Sequence, residues 1–323
     1  MTGPLRVGTR GSALAVAQTT TVADALGRAT GRPTSIVTVR TEGDVSARPL
    51  AQLGGTGVFA AALRRALLDG TVDVVVHSLK DLPTAPEPGL AVAALPARAD
   101  ARDALCARDG LTLATLPAGA RVGTGSPRRV AQLLARRPDL EVVDVRGNVD
   151  TRLAKVAAGE LDAVVLASAG LDRLGRSDAA TERFDLDEWP TAPGQGALAV
   201  EVRAGEEDLV GMLDDAATRA AAEAERRVLA LLEAGCSAPV GVHARLVAGE
   251  LRLDARVYRL DGSAWLSSSA RESMPRASHG GQAADASSLR AAPTWADPVE
   301  ALASRVAHEL LDAGAAELAG VGA

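Results

Sequence analysis

The chain has 323 residues and a net charge of −6, with 47% hydrophobic side chains but only 2% aromatic ones. That length allows more than one domain around a core of Ala, Val and Leu, and the acidic balance excludes non-specific nucleic-acid binding, which needs a basic excess. The start MTGPLRVGTRGS has no apolar leader core, and no stretch reaches the roughly 18 apolar residues of a membrane span, so a cytoplasmic protein without a membrane partner is expected.

Strand and helix patterns alternate from the start. LRVGTR reads as a short strand ending at Thr9 and Arg10, and Ser12 can cap a helix running to about Leu26. A second strand, SIVTV, precedes the polar TEGD. Phe59, Leu63, Ala66 and Leu67 recur at helical spacing and Gly70 can end that helix. VDVVVHSL follows as a near-continuous apolar strand of the kind buried on both faces. Repeated β-α-β units predict a parallel sheet.

The same grammar restarts after LPARADARDA. ARVGTGSPRRVAQLLARRPD predicts a strand, a glycine turn, Ser126 as N-cap and Pro127 at the first helical position, with Val130, Leu133 and Leu134 on the apolar face. Strand EVVDVRG, a helix through Leu153 and Val156, strand DAVVLAS and a short helix with Leu171 and Leu174 complete a second α/β unit. TAPGQGALAVEV closes it, and its final strand is expected to return to the first unit and pair with LAVAALPAR as a hinge. From Thr218 the pattern changes. A helix capped by Thr218 and stopped by Gly235 leads to Cys236, then to three strands, VGVHARLV, LRLDARVYRL and AWLSSSA. Leu251, Leu253, Ala255 and Val257 alternate with polar positions, so this sheet is predicted to be antiparallel with one wet face, covered by a last helix over about 298–313. Residues 271–297 are rich in Ser, Ala, Gly and Pro and read as a loop or insertion.

Two cysteines 130 positions apart, Cys106 and Cys236, form neither a disulfide framework nor a zinc motif, so no metal is expected and a reducing compartment is. Ligands of open α/β sheets sit beyond the carboxyl ends of parallel strands. Arg10, Lys80 and Asp81 follow such ends in the first unit; Thr124, Ser126, Arg128, Arg129 and Arg146 do so in the second, with Arg152 one or two turns on. Guanidinium forks bind carboxylates in a bidentate manner, so two such clusters across a hinge predict a cleft for a carboxylate-rich molecule. Arg136 and Arg137 read as surface charges of a helix.

TRGSALA, VHSLKDLP, GTGSPRR, VRGNVDTRL, APGQGAL and EAGCSAPVG stand in an order and spacing that resemble the porphobilinogen deaminase (hydroxymethylbilane synthase) family over essentially the whole chain. The resemblance implies two α/β domains like those of periplasmic binding proteins, 1–97 with 198–216 and 98–197, and a small α+β domain, 217–323, with a three-stranded antiparallel sheet. It implies a transferase of haem biosynthesis that condenses four porphobilinogens head to tail with loss of ammonia and releases hydroxymethylbilane. Cys236 would be the covalent anchor of a dipyrromethane cofactor, also held by Lys80, Asp81, Thr124, Ser126, Arg128, Arg129 and Arg146. Asp81 would be the catalytic carboxylate, and Arg10, Ser12, Gln18, Arg146, Arg152 and Arg173 would bind substrate; a monomer is expected.

Two departures stand out. Where the family pattern carries lysines in AKxGGKG, this chain reads AQLGGTG, with Gln52 and Thr56, and residues 271–297 make a longer link than usual, expected to be dispensable. Two other classes stay open from the residues alone. One is a two-domain clamp that binds a dicarboxylate and releases it unchanged. The other is an acyl-transfer enzyme using Cys236 as nucleophile, for which His243 is the base close in sequence.

Overall fold

The computed structural model describes residues 3–39, 57–234, 238–275 and 295–319, with side chains from Ala60 onward in the helix that begins at Gly57. Gln52, Thr56, Gly235, Cys236 and most of 271–297 therefore lie outside the described residues, as does the side chain of Phe59.

Three sheets organise the chain. The first contains β1 (Leu5–Thr9), β2 (Thr34–Thr38), β3 (Val74–Ser78), β4 (Leu90–Ala94) and β10 (Leu198–Arg203), in the order β2-β1-β3-β10-β4. The second contains β5 (Asp103–Ala107), β6 (Arg121–Gly123), β7 (Glu141–Val143), β8 (Ala163–Ala167) and β9 (Glu182–Arg183), in the order β7-β6-β8-β5-β9. Both are mixed, which corrects the expectation of parallel sheets. In the first, β1, β2 and β3 run parallel while β10 is antiparallel to both its neighbours. In the second, β6, β7 and β8 run parallel and β5 is antiparallel to its neighbours. The physical reason lies in the crossovers: β5 and β10 are each the first strand after the chain passes from one sheet to the other, so each enters its new sheet against the grain. The expected pairing of β10 with LAVAALPAR is present as β10–β4, inside the five-stranded sheet and with a register shift at Val200/Glu201.

The helices carry their punctuation locally. In α1 (Ala13–Thr30), the Ser12 hydroxyl accepts from the Ala15 amide, and the helix runs past Leu26 to Gly31, whose φ of 67° makes the left-handed C-cap. In α2 (Gly57–Leu68), Leu63, Ala66 and Leu67 are buried as predicted, and Gly70 follows with a positive φ. Helix α3 (Pro127–Arg136) starts after Ser126 with Pro127 at its first position. Its buried face differs from the predicted one: Leu133 is buried, but Arg128, Arg129 and Gln132 are buried with it while Val130 and Leu134 are only half-buried. A buried acceptor outweighs the apolar pattern here, as the site geometry explains. Helices α4 (Val149–Ala157) and α5 (Ser168–Arg173) flank β8, and strand β7 stops at Val143, short of the predicted run.

The third sheet, β11 (Val240–Val247), β12 (Glu250–Tyr258) and β13 (Trp265–Ser273), is antiparallel, with Leu251, Leu253, Ala255 and Val257 buried as expected. Helices α6 (Ala216–Leu231) and α7 (Ala296–Asp312) cover it with Ala220, Ala224, Val228, Leu302 and Val306, and a short α8 (Ala315–Ala319) follows. The cap of α6 is Asp215, not Thr218: the Asp215 carboxylate accepts from the Thr218 amide, and the Thr218 hydroxyl accepts from the Arg98 amide. The helix ends at Leu231, so the predicted stop at Gly235 falls beyond it.

The third sheet is seated against the second by close backbone contact. A Cβ on Gly241 would stand 2.5 Å from the Pro190 carbonyl oxygen, and one on Gly262 2.5 Å from the Ala135 nitrogen. Arg256 donates to the Asp187 and Glu188 carbonyls.

Candidate functional site

The carboxyl ends of the parallel strands β1, β3, β6 and β8 carry most of the polar residues singled out from sequence. After β3, a single 3-10 turn, Leu79–Asp81, presents Lys80 half-buried and Asp81 exposed. After β6, Thr124 is buried and its hydroxyl accepts from the Ser126 amide, which shapes the loop into α3. Gly125 allows that loop to lie on β7's exit, since a Cβ there would stand 3.1 Å from the Val145 carbonyl oxygen.

Asp103, the first residue of β5, is the centre of the site and is absent from the sequence-predicted set. It is fully buried and accepts four hydrogen bonds: from Arg128 (2.8 Å), Arg129 (2.6 Å), the Trp189 indole (2.9 Å) and the Gln195 amide (2.8 Å). Burial alone would raise its pKa, but Arg128 and Arg129 outweigh burial and hold it far below the usual carboxylate range. This is what buries the polar face of α3. Arg128 also donates to Gln132, which in turn donates to Tyr258 of the third sheet (3.2 Å).

Gln195 is the second residue missing from the prediction, although its motif APGQGAL is noted there. It is fully buried and its Oε1 accepts from Lys80 (3.4 Å) and Arg129 (3.5 Å), so one side chain links the turn after β3 to α3 across the two sheets. Burial pushes the Lys80 ammonium down, Asp81 opposes this, and Arg129 adds to it. Burial likewise lowers Arg152, and Arg129 again adds to the shift; Arg152 also donates to the Gly147 carbonyl (2.9 Å). Lys80, Arg128, Arg129 and Arg152 thus share one electrostatic neighbourhood, opposed by Asp103, Asp81 and Asp144.

The other predicted residues lie around this centre. Gln18 is buried and donates to the Ser78 hydroxyl (2.9 Å) at the end of β3; Ser12 caps α1, and Arg10 is half-buried after β1. Arg173 donates to the Gly196 carbonyl (2.8 Å) on the second crossover, and burial lowers its pKa against the pull of Asp172. Arg146 is exposed, within 3.4 Å of Asp144, and is the least enclosed of the predicted cations. Leu14 of α1 approaches Gly170 of α5, so the two α/β units touch where α1 starts. Arg136 and Arg137, expected to be surface charges, lie outside this cluster, but both are tied down. Arg136 donates to the Glu188 carbonyl and sits over the Trp189 ring, and Arg137 donates to the Leu113 and Leu116 carbonyls.

Two family models match successive stretches of the chain: "Porphobilinogen deaminase, dipyromethane cofactor binding domain" over residues 5–211 and "Porphobilinogen deaminase, C-terminal domain" over residues 220–286. The chain belongs to the porphobilinogen deaminase family. Porphobilinogen deaminase of Leifsonia xyli is 59% identical over 98% of this chain and 94% of that protein, and that of Thermobifida fusca is 51% identical over 98% and 96%. Among solved structures, an ABC transporter periplasmic substrate-binding protein from Coxiella burnetii aligns with a TM-score of 0.41 and 15% identity, covering 65% of this chain and 89% of that one. As a porphobilinogen deaminase, the chain is a transferase of tetrapyrrole biosynthesis, and its cofactor is dipyrromethane.

The residues present fit such a group. Among the described residues, the buried Nε atoms of Arg128 and Arg129 and the buried hydroxyls of Thr9, Ser168 and Thr191 have no hydrogen-bond partner. Buried polar atoms are rarely left unpaired, and a cluster of cationic donors is the environment a polycarboxylate completes. Cys106, by contrast, is buried in β5 with its thiol pushed up to about 11 by burial, as suits an inert core residue.

Proposed function

We propose that the cation cluster around Lys80 holds the carboxylates of the dipyrromethane group and of the growing pyrrole chain, and that Asp81 is the catalytic carboxylate. The observation that carries this reading is the meeting of Lys80 from the first sheet with Arg129 from the second at Gln195. Tethered through Cys236, the dipyrromethane group supplies the pyrrole carbon to which the first substrate is joined, and it remains on the protein after product release.

The reaction breaks the bond between the aminomethyl carbon and nitrogen of porphobilinogen, ammonia leaves, and positive charge spreads onto the pyrrole nitrogen. A carboxylate fixed near that nitrogen stabilises the developing charge. That Asp81 is exposed in the turn at the end of β3, next to Lys80, supports this role. Lys80, Thr124, Ser126, Arg128, Arg129 and Arg146 are proposed to hold the cofactor. Arg10, Ser12, Gln18, Arg146, Arg152 and Arg173 are proposed to receive incoming and elongated substrate. Arg128 and Arg129 are anchored on Asp103, so they have little rotamer freedom to lose when a carboxylate binds.

The proposed domains are 1–97 with 198–216, 98–197, and 217–323, with the paired strands of LAVAALPAR and TAPGQGALAVEV as the hinge. One chain carries every proposed group, which supports a monomer, and the sparse cysteines support a cytoplasmic location.

The test is a denaturing mass spectrum of protein made with porphobilinogen available. The expected mass exceeds the polypeptide by two linked pyrrole units, and Cys236→Ser protein shows the bare mass. Wild-type protein at the bare mass with a titratable Cys236 would overturn the reading. Asp81→Asn is expected to keep the tether and lose about 10²- to 10³-fold in kcat.

A further inference from the structure

Helix α6 belongs to the third sheet's unit, yet two adjacent side chains on it leave that unit in different directions. Glu225 reaches the crossovers. Arg226 reaches the turn that carries Lys80 and Asp81: it donates to the carbonyls of Leu79 (3.3 Å), Leu82 (2.8 Å) and Pro83 (2.6 Å). We infer that Arg226 is a positioning residue for the reaction, acting through this backbone clamp on Asp81; the inference rests on the reading of Asp81 above.

The turn has little internal support. Leu82 closes it by donating to the Leu79 carbonyl, and the residue that follows, Pro83, has no amide hydrogen to offer. Its carbonyls at Leu79, Leu82 and Pro83 need donors, and a planar guanidinium can serve three at once where an ammonium, a point charge on a flexible stem, cannot match the fork. Leu79 and Leu82 are both buried and cluster with Ala222 of α6, Ala197 and Ala199. Ala222 and Arg226 are four residues apart and lie on one face of the helix, so the same stripe of α6 packs the turn and hydrogen-bonds it. On the turn's other flank, Leu79 donates to the Ala197 carbonyl, and a Cβ on Gly194 would stand 2.9 Å from the Leu79 side chain.

The turn is thus wedged between the second crossover and α6. Cys236 lies ten positions after Arg226 on the same stretch of chain, so the segment that carries the anchoring thiol also supports the loop that carries the acid. A displacement of Asp81 by about 1 Å can cost on the order of 10²-fold in rate without a change in any group touching substrate.

The experiment compares Arg226→Met and Arg226→Lys, alone and in an Asp81→Glu background, with tether mass, thermal midpoint, kcat and KM measured for each. The expected result for Arg226→Met is a loaded, folded protein with kcat down about 10- to 100-fold and KM changed far less. Arg226→Lys recovers part of the loss, and Arg226→Met costs little more once Asp81 is already glutamate. Activity of Arg226→Met within twofold of wild type overturns the inference, as does an equal loss in both backgrounds, which would mark general destabilisation. If Arg226→Met does not fold, Arg226→Lys decides: full activity there overturns the inference and a selective kcat loss supports it. Failure of the Asp81 reading is separately visible, as undiminished activity in Asp81→Asn.

Discussion

Replacing Glu225 by glutamine should destabilise the protein at neutral pH and do so less as the pH falls. Glu225 is fully buried and receives hydrogen bonds from both guanidinium ends of Arg98 (2.6 and 3.0 Å) and from the amides of Gly194 (2.6 Å) and Ala244 (2.7 Å), with His243 at 3.4 Å. It therefore joins the first crossover, the second crossover and β11. Burial would raise its pKa, but Arg98 and His243 lower it from 4.5 to about 2. A folded-state value below the unfolded one means that the unfolded chain binds the proton first, so the stabilisation is present above the unfolded value and is lost as pH falls toward the folded one. The gap corresponds to roughly 3 kcal/mol at neutral pH, of which about 1 kcal/mol should be gone by a pH near 3.5. Glutamine also leaves Arg98 without its counter-charge, a loss of about 3–5 kcal/mol for a buried pair. The assay is the thermal midpoint of wild type and Glu225→Gln from about pH 7 down to the lowest pH at which both stay folded. Several degrees should separate them at pH 7, and the gap should narrow below about pH 4.5 because the wild-type carboxylate loses its advantage there. A gap that stays constant or widens on acidification would refute the assignment of Glu225 as a buried, ionised junction.

Asp103→Asn should lower the denaturation midpoint by the equivalent of about 3–5 kcal/mol, since Arg128 and Arg129 would keep their positive charges in a buried site; an unchanged midpoint in chemical denaturation would count against it. Gly241→Ala should cost about 1–3 kcal/mol by forcing β11 off the Pro190 carbonyl, whereas Gly211→Ala, which meets nothing within 4 Å, should change the midpoint by less than about 0.5 kcal/mol. Arg152→Leu and Arg146→Leu should each stall chain growth at a definite pyrrole-loaded intermediate, read by mass spectrometry of the denatured enzyme. The effect should be greater for Arg152, which is the more enclosed, and an unchanged intermediate profile in both would count against their proposed role.

Much of the chain is legible residue by residue. Ser12 before Ala13–Thr30, Pro127 at the start of its helix, the apolar run ending at Ser78 and the alternation from Leu251 to Val257 all follow from rules that act within one or two turns of chain. Motifs at strand ends point to Lys80, Asp81, Arg128 and Arg129 for the same reason: a parallel strand delivers its next residues to one edge of the sheet. Local rules mislead where a distant partner competes. Thr218 looks like a cap, but its hydroxyl is taken by Arg98 while Asp215 does the capping. Helix α3 looks apolar at Val130 and Leu134, but Asp103 draws Arg128 and Arg129 inward.

Strand and helix placement, the change of grammar at the third unit and the family itself are determined by the sequence, because hydrophobic period, caps and motif spacing are short-range properties. The tertiary structure alone decides which charges are buried together. Arg98 meets Glu225 across 127 positions, Gln195 meets Asp103 across 92, and Gln132 meets Tyr258 across 126. No local pattern encodes such pairs. A buried carboxylate becomes stable only when chain closure brings cations to it, and the same closure brings the Arg226 guanidinium to the carbonyls of Leu79, Leu82 and Pro83.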